Sequence, residues 1–171
     1  MATLYEYYIT GDSYNFQPTN SIYGAQTFTP SVSHTILSVK LLLAAPVNNA
    51  YTTTVNIYAT DANGKPTGSS LASGTLASST ISPLAWYEVS LGAGAALTSG
   101  VKYAIVVRIS TSNNYLNWRV DHIGATYAGG RFWMSGDSGA TWIGLNDPED
   151  VDAMFEDWGS DPAFIPRVMI L

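Results

Sequence analysis

Alternation of apolar and polar residues with a period of two dominates the chain from residue 25 to residue 158. A period of two sends successive side chains to opposite faces of a strand, so each segment has one face to bury and one to expose. In residues 37–43, Leu37, Val39, Leu41 and Leu43 share one face and Ser38 and Lys40 the other. Val55, Ile57 and Ala59 oppose Thr54, Asn56 and Tyr58, and Tyr87, Val89 and Leu91 oppose Trp86, Glu88 and Ser90. Tyr103, Ile105, Val107 and Ile109 make the most apolar strand, expected at the centre of a sheet. Leu116, Trp118 and Val120 alternate with Tyr115, Asn117, Arg119 and Asp121, and shorter strands are expected at 25–29, 131–135 and 152–158. No window keeps the i, i+3, i+4, i+7 spacing long enough for a domain-building helix. Gly, Asn, Asp and Pro gather between the runs, at 61–66, 99–100, 128–130 and 137–139, where tight turns need them. The expected fold is all-β: an antiparallel two-sheet β-sandwich.

With 171 residues the chain is long enough for one domain, which at this size hides about 70% of the surface of the unfolded chain. Residues 22–158 are expected to form the sandwich, flanked by an N-terminal arm at 1–21 and a C-terminal arm at 159–171. The first arm is dense in aromatics, including Tyr5, Tyr7 and Tyr8; the second carries Phe164, Ile165, Met169 and Leu171. Apolar surface of this extent marks a contact site, and these residues are the expected assembly contacts, lying on a neighbouring subunit or folded back on their own sandwich.

Charge removes several functions. Only 12% of residues are charged, about half the usual ~25%. Seven scattered basic side chains and a net charge of −6 give no stripe that neutralises phosphates, so nucleic acid is not an expected partner. Cysteine is absent, which excludes disulfides, thiolate catalysis and Cys-ligated metals. Apolar stretches fall far short of the ~20 residues of a spanning helix, so no membrane partner is expected. Residues 1–8 lack the basic and apolar regions of a secretory signal. The expectation is cytoplasmic synthesis without a signal peptide, for use in a virion or extracellular assembly.

The segments 25–30, 37–41, 55–68, 71–74, 86–88, 103–108 and 118–121, with Phe28, Asp61, Gly64, Pro66, Trp86 and Trp118 among their residues, resemble a known module. It is a jelly-roll-like β-sandwich common in phage, environmental viral and bacterial surface proteins, and the resemblance covers roughly residues 22–157. It implies a structural, adhesive or glycan-associated role and brings no catalytic residues. Ser135, Asp137, Gly139, Thr141 and Trp142 also match the Asp-box pattern of sialidase-like propellers. There the Asp caps turn amides, the Gly supplies positive φ and the Trp plugs the hairpin base. One copy makes no propeller, and the pattern is expected to be structural.

Three chemistries are candidates. Asp147, Asp150 and Asp152 crowd one loop and offer the oxygens that Ca²⁺ takes, although the spacing is not that of an EF-hand and a solvated acidic loop is the alternative. Otherwise no cofactor is expected. Glu88, Asp121 and Glu156 are carboxylates of the kind glycosidases pair, but their outward positions point to solvation, with Arg119 and Asp121 paired on one strand face. His34 is expected in a turn and His122 at a strand end, and neither has a nucleophile motif beside it. Sugars stack their C–H faces on aromatic rings, and Tyr58, Trp86, Tyr115, Asn117, Arg119 and Asp121 would form an aromatic–polar patch if their strands were neighbours. The function expected from these features is a non-enzymatic structural protein of a virion or extracellular assembly, such as a capsid decoration, tail accessory or filament subunit. Its partners would be copies of itself or other assembly proteins. The alternative is a carbohydrate-binding or adhesion module recognising a surface glycan.

Overall fold

The computed structural model describes residues 2–46, 50–145 and 151–162. Strands β1 (Thr3–Tyr8), β2 (Tyr14–Phe16), β3 (Tyr23–Phe28) and β4 (His34–Ala44) come first. Then follow β5 (Thr52–Thr60), β6 (Pro66–Ala77), β7 (Ala85–Leu97) and β8 (Tyr103–Ile109), with a 3-10 turn at Ser78–Thr80. The series ends with β9 (Asn117–Asp121), β10 (Phe132–Ser135), β11 (Ile143–Gly144), β12 (Asp152–Ala153) and β13 (Phe155–Ser160). Among the described residues no helix is long and apolar enough to cross a membrane.

All pairings are antiparallel and form two sheets. Sheet I runs β1-β13-β4-β9-β12, with β7 on the free edge of β4 and β2 on β9; sheet II runs β11-β10-β3-β8-β5-β6. The alternation seen in the sequence turns one face of each sheet inward. Val39, Leu41, Leu43, Trp118 and Phe155 of sheet I meet Phe28, Val55, Ile57, Ile105 and Val107 of sheet II in one buried cluster. This is the expected β-sandwich. The most apolar strand, β8, lies between β3 and β5, where both of its edges are hydrogen-bonded and its inner face is sealed.

One phase error has a clear cause. Leu37 was expected inward, yet Ile36 is fully buried and Leu37 is not. Ile36 pairs with Ala95 and Ser38 with Ser90, so residues 91–94 of β7 stand opposite Leu37 alone. On the other edge of β4, Ile36 and Ser38 pair with the consecutive Gly159 and Trp158, so Leu37 is an extra residue of β4, a bulge that resets the strand's own alternation. Gly92 and Gly94 make the facing stretch of β7 sterically feasible with φ of +65° and +74°, and a Cβ on Gly94 would overlap the carbonyl oxygen of Ile36. Gly94→Ala therefore combines left-handed strain with a backbone clash and is expected to cost about 2–3 kcal/mol. Chemical denaturation of the two proteins checks this.

Residues 2–21 fold back on the sandwich and do not form an arm outside it. β1 pairs with β13 and β2 with β9, both within sheet I. Tyr8 and Phe16 are buried members of the central core. Tyr5 stacks on the His34 ring, with centroids 3.8 Å apart and planes 2° from parallel. Two of the three expected N-terminal assembly contacts are thus spent within the chain, and Tyr7 alone remains half exposed. The reason is that β13 and β9 offer unpaired edges, and the aromatic segment supplies strands to both. At the other end, Gly159 and Ser160 continue β13, and Asp161 accepts a hydrogen bond from Tyr5 at 2.7 Å. Phe164, Ile165, Met169 and Leu171 lie outside the described residues.

His34 is likewise not in a turn. It opens β4, where its buried Nε2 lies 2.9 Å from Oδ2 of the buried Asp157.

Candidate functional site

The outward face of sheet II is unusual for a solvent face, because its central residues are small and covered. Ala25 of β3 and Ala104 and Val106 of β8 point away from the core, yet all three are buried. The register places Trp133, Ala25, Val106 and Asn56 in one row across four strands, with Thr27, Ala104 and Tyr58 in the next. Trp133 and Trp142 close over the floor of small residues, and Tyr23 and Tyr58 pack at its sides. Small side chains are needed in the floor, since larger ones would lift the indoles off the sheet.

Trp142 reaches this face through the Asp-box hairpin. Ser135 is buried, and its hydroxyl donates to Asp137 at 2.8 Å while accepting from the Gly139 amide at 2.8 Å. Asp137 also accepts from the Thr141 hydroxyl at 2.7 Å and amide at 2.8 Å. The Thr141 hydroxyl and amide, with Ser135, hold the Asp137 carboxyl down at about 2, so it is ionised and committed to its own turn. Gly139 has φ +88°, as the motif requires, and Ser138 also lies in the left-handed region at +60°. The structural reading of the motif holds, with one addition: the hairpin also forms a wall.

That wall and the first residues of β6 border a cavity of about 250 Å³. Its floor is Val106, its aromatic sides are Tyr23, Tyr58 and Trp142, and its rims are the stretches 66–68 and 138–140. The β5–β6 loop is braced in the same way, with Asp61 accepting from the amides of Asn63 and Lys65, both at 2.9 Å. The Lys65 and Asn63 amides hold the Asp61 carboxyl below its usual range. Cations surround the aromatics. The Lys65 Nζ lies 5.4 Å and the Arg131 guanidinium 5.0 Å from the Trp133 ring, and Arg108 lies 5.8 Å from Tyr23.

The residues expected to bind glycan do not come together. Tyr58 lines the cavity, but the other five belong to sheet I or its flanks. Trp86 is half buried against the core opposite Leu42. The exposed Tyr115 uses its carbonyl to accept from Tyr51. Asn117 accepts from Gln17 at 2.9 Å. Arg119 does not pair with Asp121: it donates to Asp12 at 3.1 Å and Asn15 at 2.8 Å. Asp121 is buried and accepts from the Tyr8 hydroxyl at 2.7 Å. The N-terminal segment, placed over β9 by β2, consumes the polar groups that were expected to face a ligand. Of the acid–base candidates, Glu88 and Glu156 flank Lys40 in one row of sheet I, with Glu88 accepting from Ser38 and Glu156 from Trp158, whereas Asp121 is buried against Tyr8.

The aromatic cradle left a weak trace in the sequence. Ala104 and Val106 occupy the outward phase of their strand, where a solvated face would carry polar residues. Trp133 and Trp142, far from β8 in sequence, are what cover them.

Of the calcium candidates, Asp152 is buried and accepts from Gln26 at 2.9 Å and from the Tyr127 amide at 3.1 Å. Asp147 and Asp150 lie outside the described residues. Among the described residues no three His, Cys, Asp or Glu side chains cluster as a metal site.

None of the curated proteins matches the chain in sequence. Its fold is similar to that of Cwp84, a clostridial cysteine protease, after propeptide cleavage, with TM-score 0.59 and 16% identity over 94% of this chain and 40% of that one. A second structure comprises the cysteine protease and lectin-like domains of Cwp84, a surface layer associated protein of Clostridium difficile. It matches with TM-score 0.57 and 15% identity over 94% of this chain and 36% of that one. The chain thus spans well under half the length of either structure. The family profile described as a lectin-like domain matches residues 4–148, most of the two-sheet sandwich and the whole of the cradle, and the chain belongs to that family.

Proposed function

We propose that this domain is a carbohydrate-binding module that holds a saccharide on the outward face of sheet II. The observation that carries the reading is the cavity bounded by Tyr23, Tyr58 and Trp142. A pyranose presents an apolar C–H face to such rings while its hydroxyls reach the rim, where the hydroxyl groups of Thr67 and Ser138 and the backbone of both turns lie. Membership in the lectin-like family supports the same reading, and the fold it shares with a surface layer associated protein supports a place outside the cell or on its surface. The virion-assembly function expected first from the sequence has less behind it than its glycan-binding alternative, because Tyr5 and Tyr8 pack within their own sandwich.

Screening the full chain on a saccharide array, then titrating the strongest binder by calorimetry, tests the assignment. Tyr58→Ala is expected to weaken binding about tenfold or more, equivalent to ~1.4 kcal/mol of lost stacking. Tyr115→Ala and Arg119→Ala, on the opposite sheet, should leave it unchanged. If the sheet I variants abolish binding and Tyr58→Ala does not, the site has been placed on the wrong face.

A further inference from the structure

The distribution of charge narrows the class of sugar. The chain carries 13 acidic and 7 basic side chains, so any cation-rich surface on it has to be assembled locally. Lys40 and Arg119, both on sheet I, lie 4.0 Å from Glu156 and 3.1 Å from Asp12, and Arg167 lies outside the described residues. The other four are Lys65, Lys102, Arg108 and Arg131, and none of them forms an ion pair among the described residues. All four belong to sheet II or its loops. Arg108 follows Val106, the cavity floor, on the same face of β8. Lys65 immediately precedes the rim residue Pro66, and Lys102 borders the same loop at Gly64.

What holds these cations is as informative as where they lie. Arg108, Lys65 and Arg131 sit over the rings of Tyr23 and Trp133. A ring face orients a cation without cancelling its charge, whereas a carboxylate would neutralise it. Two carboxylates border the face, and both are turned to their own loops: Asp137 binds Thr141 and Ser135, and Asp61 binds the amides of Asn63 and Lys65. The remaining described carboxylates belong to sheet I, to the segments flanking its strands, or, for Asp152, to a bond with Gln26 between the sheets. Among the described residues, the four cations outside the ion pairs thus lie on the sheet II side, beside the aromatic residues Tyr23 and Trp133 and next to the cavity, with Asp61 as the carboxylate nearest Lys65.

From this arrangement we infer that the face selects an anionic saccharide, with its ring against Tyr58 and Trp142 and its carboxylate or phosphate group against Arg108. The inference rests on the glycan-binding reading above and adds the ligand's charge to it. A guanidinium suits either acid, because its planar fork donates two parallel hydrogen bonds. Lys65, toward the Trp133 end of the same face, lends a second positive charge to a longer acidic chain.

The test titrates the full chain with matched pairs: oligogalacturonate against its methyl ester, and a phosphorylated oligomannose against its dephosphorylated form. The acidic member of at least one pair is expected to bind about tenfold more tightly than its neutral counterpart. That gap should shrink as ionic strength rises from about 0.01 M to about 1 M, over which the Debye length falls from about 30 Å to about 3 Å. A gap in the first pair assigns a carboxylate ligand and a gap in the second a phosphate. Arg108→Gln should close the gap while leaving the affinity for the neutral form in place. Lys65→Gln, on an exposed turn, should narrow it and serves as the test should the Arg108 variant fail to fold. Equal affinity for acidic and neutral members overturns the anionic selectivity and leaves the glycan reading standing. Absence of binding to all four overturns the anionic selectivity, and absence of any binder on the saccharide array as well overturns the glycan reading with it.

Discussion

A chain lacking residues 1–21 is expected not to fold into the native sandwich. The deletion removes β1 and β2, and with them the strands that cover one edge of β13 and one edge of β9. Tyr8 and Phe16 leave the core, and burial of such side chains is worth about 1.5–3 kcal/mol each. Phe16 also packs edge-on against Phe132 at 4.9 Å, so its loss opens a cavity beside one of the largest buried rings. The buried Asp121 loses the Tyr8 hydroxyl, and a buried acceptor left without its donor costs a further ~1–3 kcal/mol. The sum approaches the whole stability of a typical domain, roughly 5–15 kcal/mol. Near-UV circular dichroism and calorimetry of the shortened chain should show lost tertiary packing and no cooperative transition. A shortened chain that melts cooperatively within a few degrees of the full protein would show that the segment is dispensable.

His34→Ala is expected to cost about 3–5 kcal/mol, because it strands a buried carboxylate. Nδ1 of His34 faces the Val32 carbonyl at 2.8 Å and Nε2 faces Asp157 at 2.9 Å. Both ring nitrogens meet acceptors, so the ring is best satisfied as an imidazolium donating twice. Burial opposes that charge, but the bonds to Asp157 and Val32 outweigh it and the His34 pKa is raised. Burial also raises that of Asp157, with the His34 bond offsetting it in part. Oδ1 of Asp157 has no hydrogen-bond partner among the described residues, so removing His34 leaves neither oxygen satisfied by a side chain.

The two shifts have the same sign. A folded-state pKa above the unfolded value means that the folded protein binds more protons, so stability falls as pH rises. The His34 contribution is fully present below its unfolded value of about 6.5 and is lost as pH rises through the higher folded value. The Asp157 contribution behaves likewise, starting from its lower unfolded value of about 3.9. Melting temperature should therefore decline above neutrality in the wild-type chain. His34→Ala should lower it throughout, on the order of 10 °C for a domain of this size, and flatten the alkaline limb. An unchanged slope in the variant would mean that other groups govern the pH dependence.

Legibility in the sequence followed the range of the interactions involved. Alternation is a local property, and it located β5, β8 and β9 with the correct faces inward, because nothing in those segments breaks the period. In β4 it failed at Leu37, an extra residue against β13 whose bulge is matched on the other edge by Gly92 and Gly94 of β7, so the signal for it lies in the pairing of distant strands. The long β6, Pro66–Ala77, left little signal because many of its residues are exposed Ser, Thr and Gly and few of its side chains reach the core. β1 and β2 read as an arm because their aromatic content reports on burial, not on which surface supplies it. The site was partly legible through Tyr58 and the Asp-box spacing. The cradle as a whole was not, because Trp133 and Trp142 meet Ala104 and Val106 only after β10 has joined β3.

The two turns that wall the cavity have a consequence for how this surface changes over time. Each is fastened by its own aspartate, Asp61 or Asp137, to amides or hydroxyls within four residues. The rim positions at 138–140 lie inside the unit fastened by Asp137, and 67–68 open β6 just beyond the turn fastened by Asp61. Substitutions there can reshape the recognition surface while the sandwich beneath stays as it is. A scaffold with self-braced rims can therefore diversify its ligands without renegotiating its stability at each step.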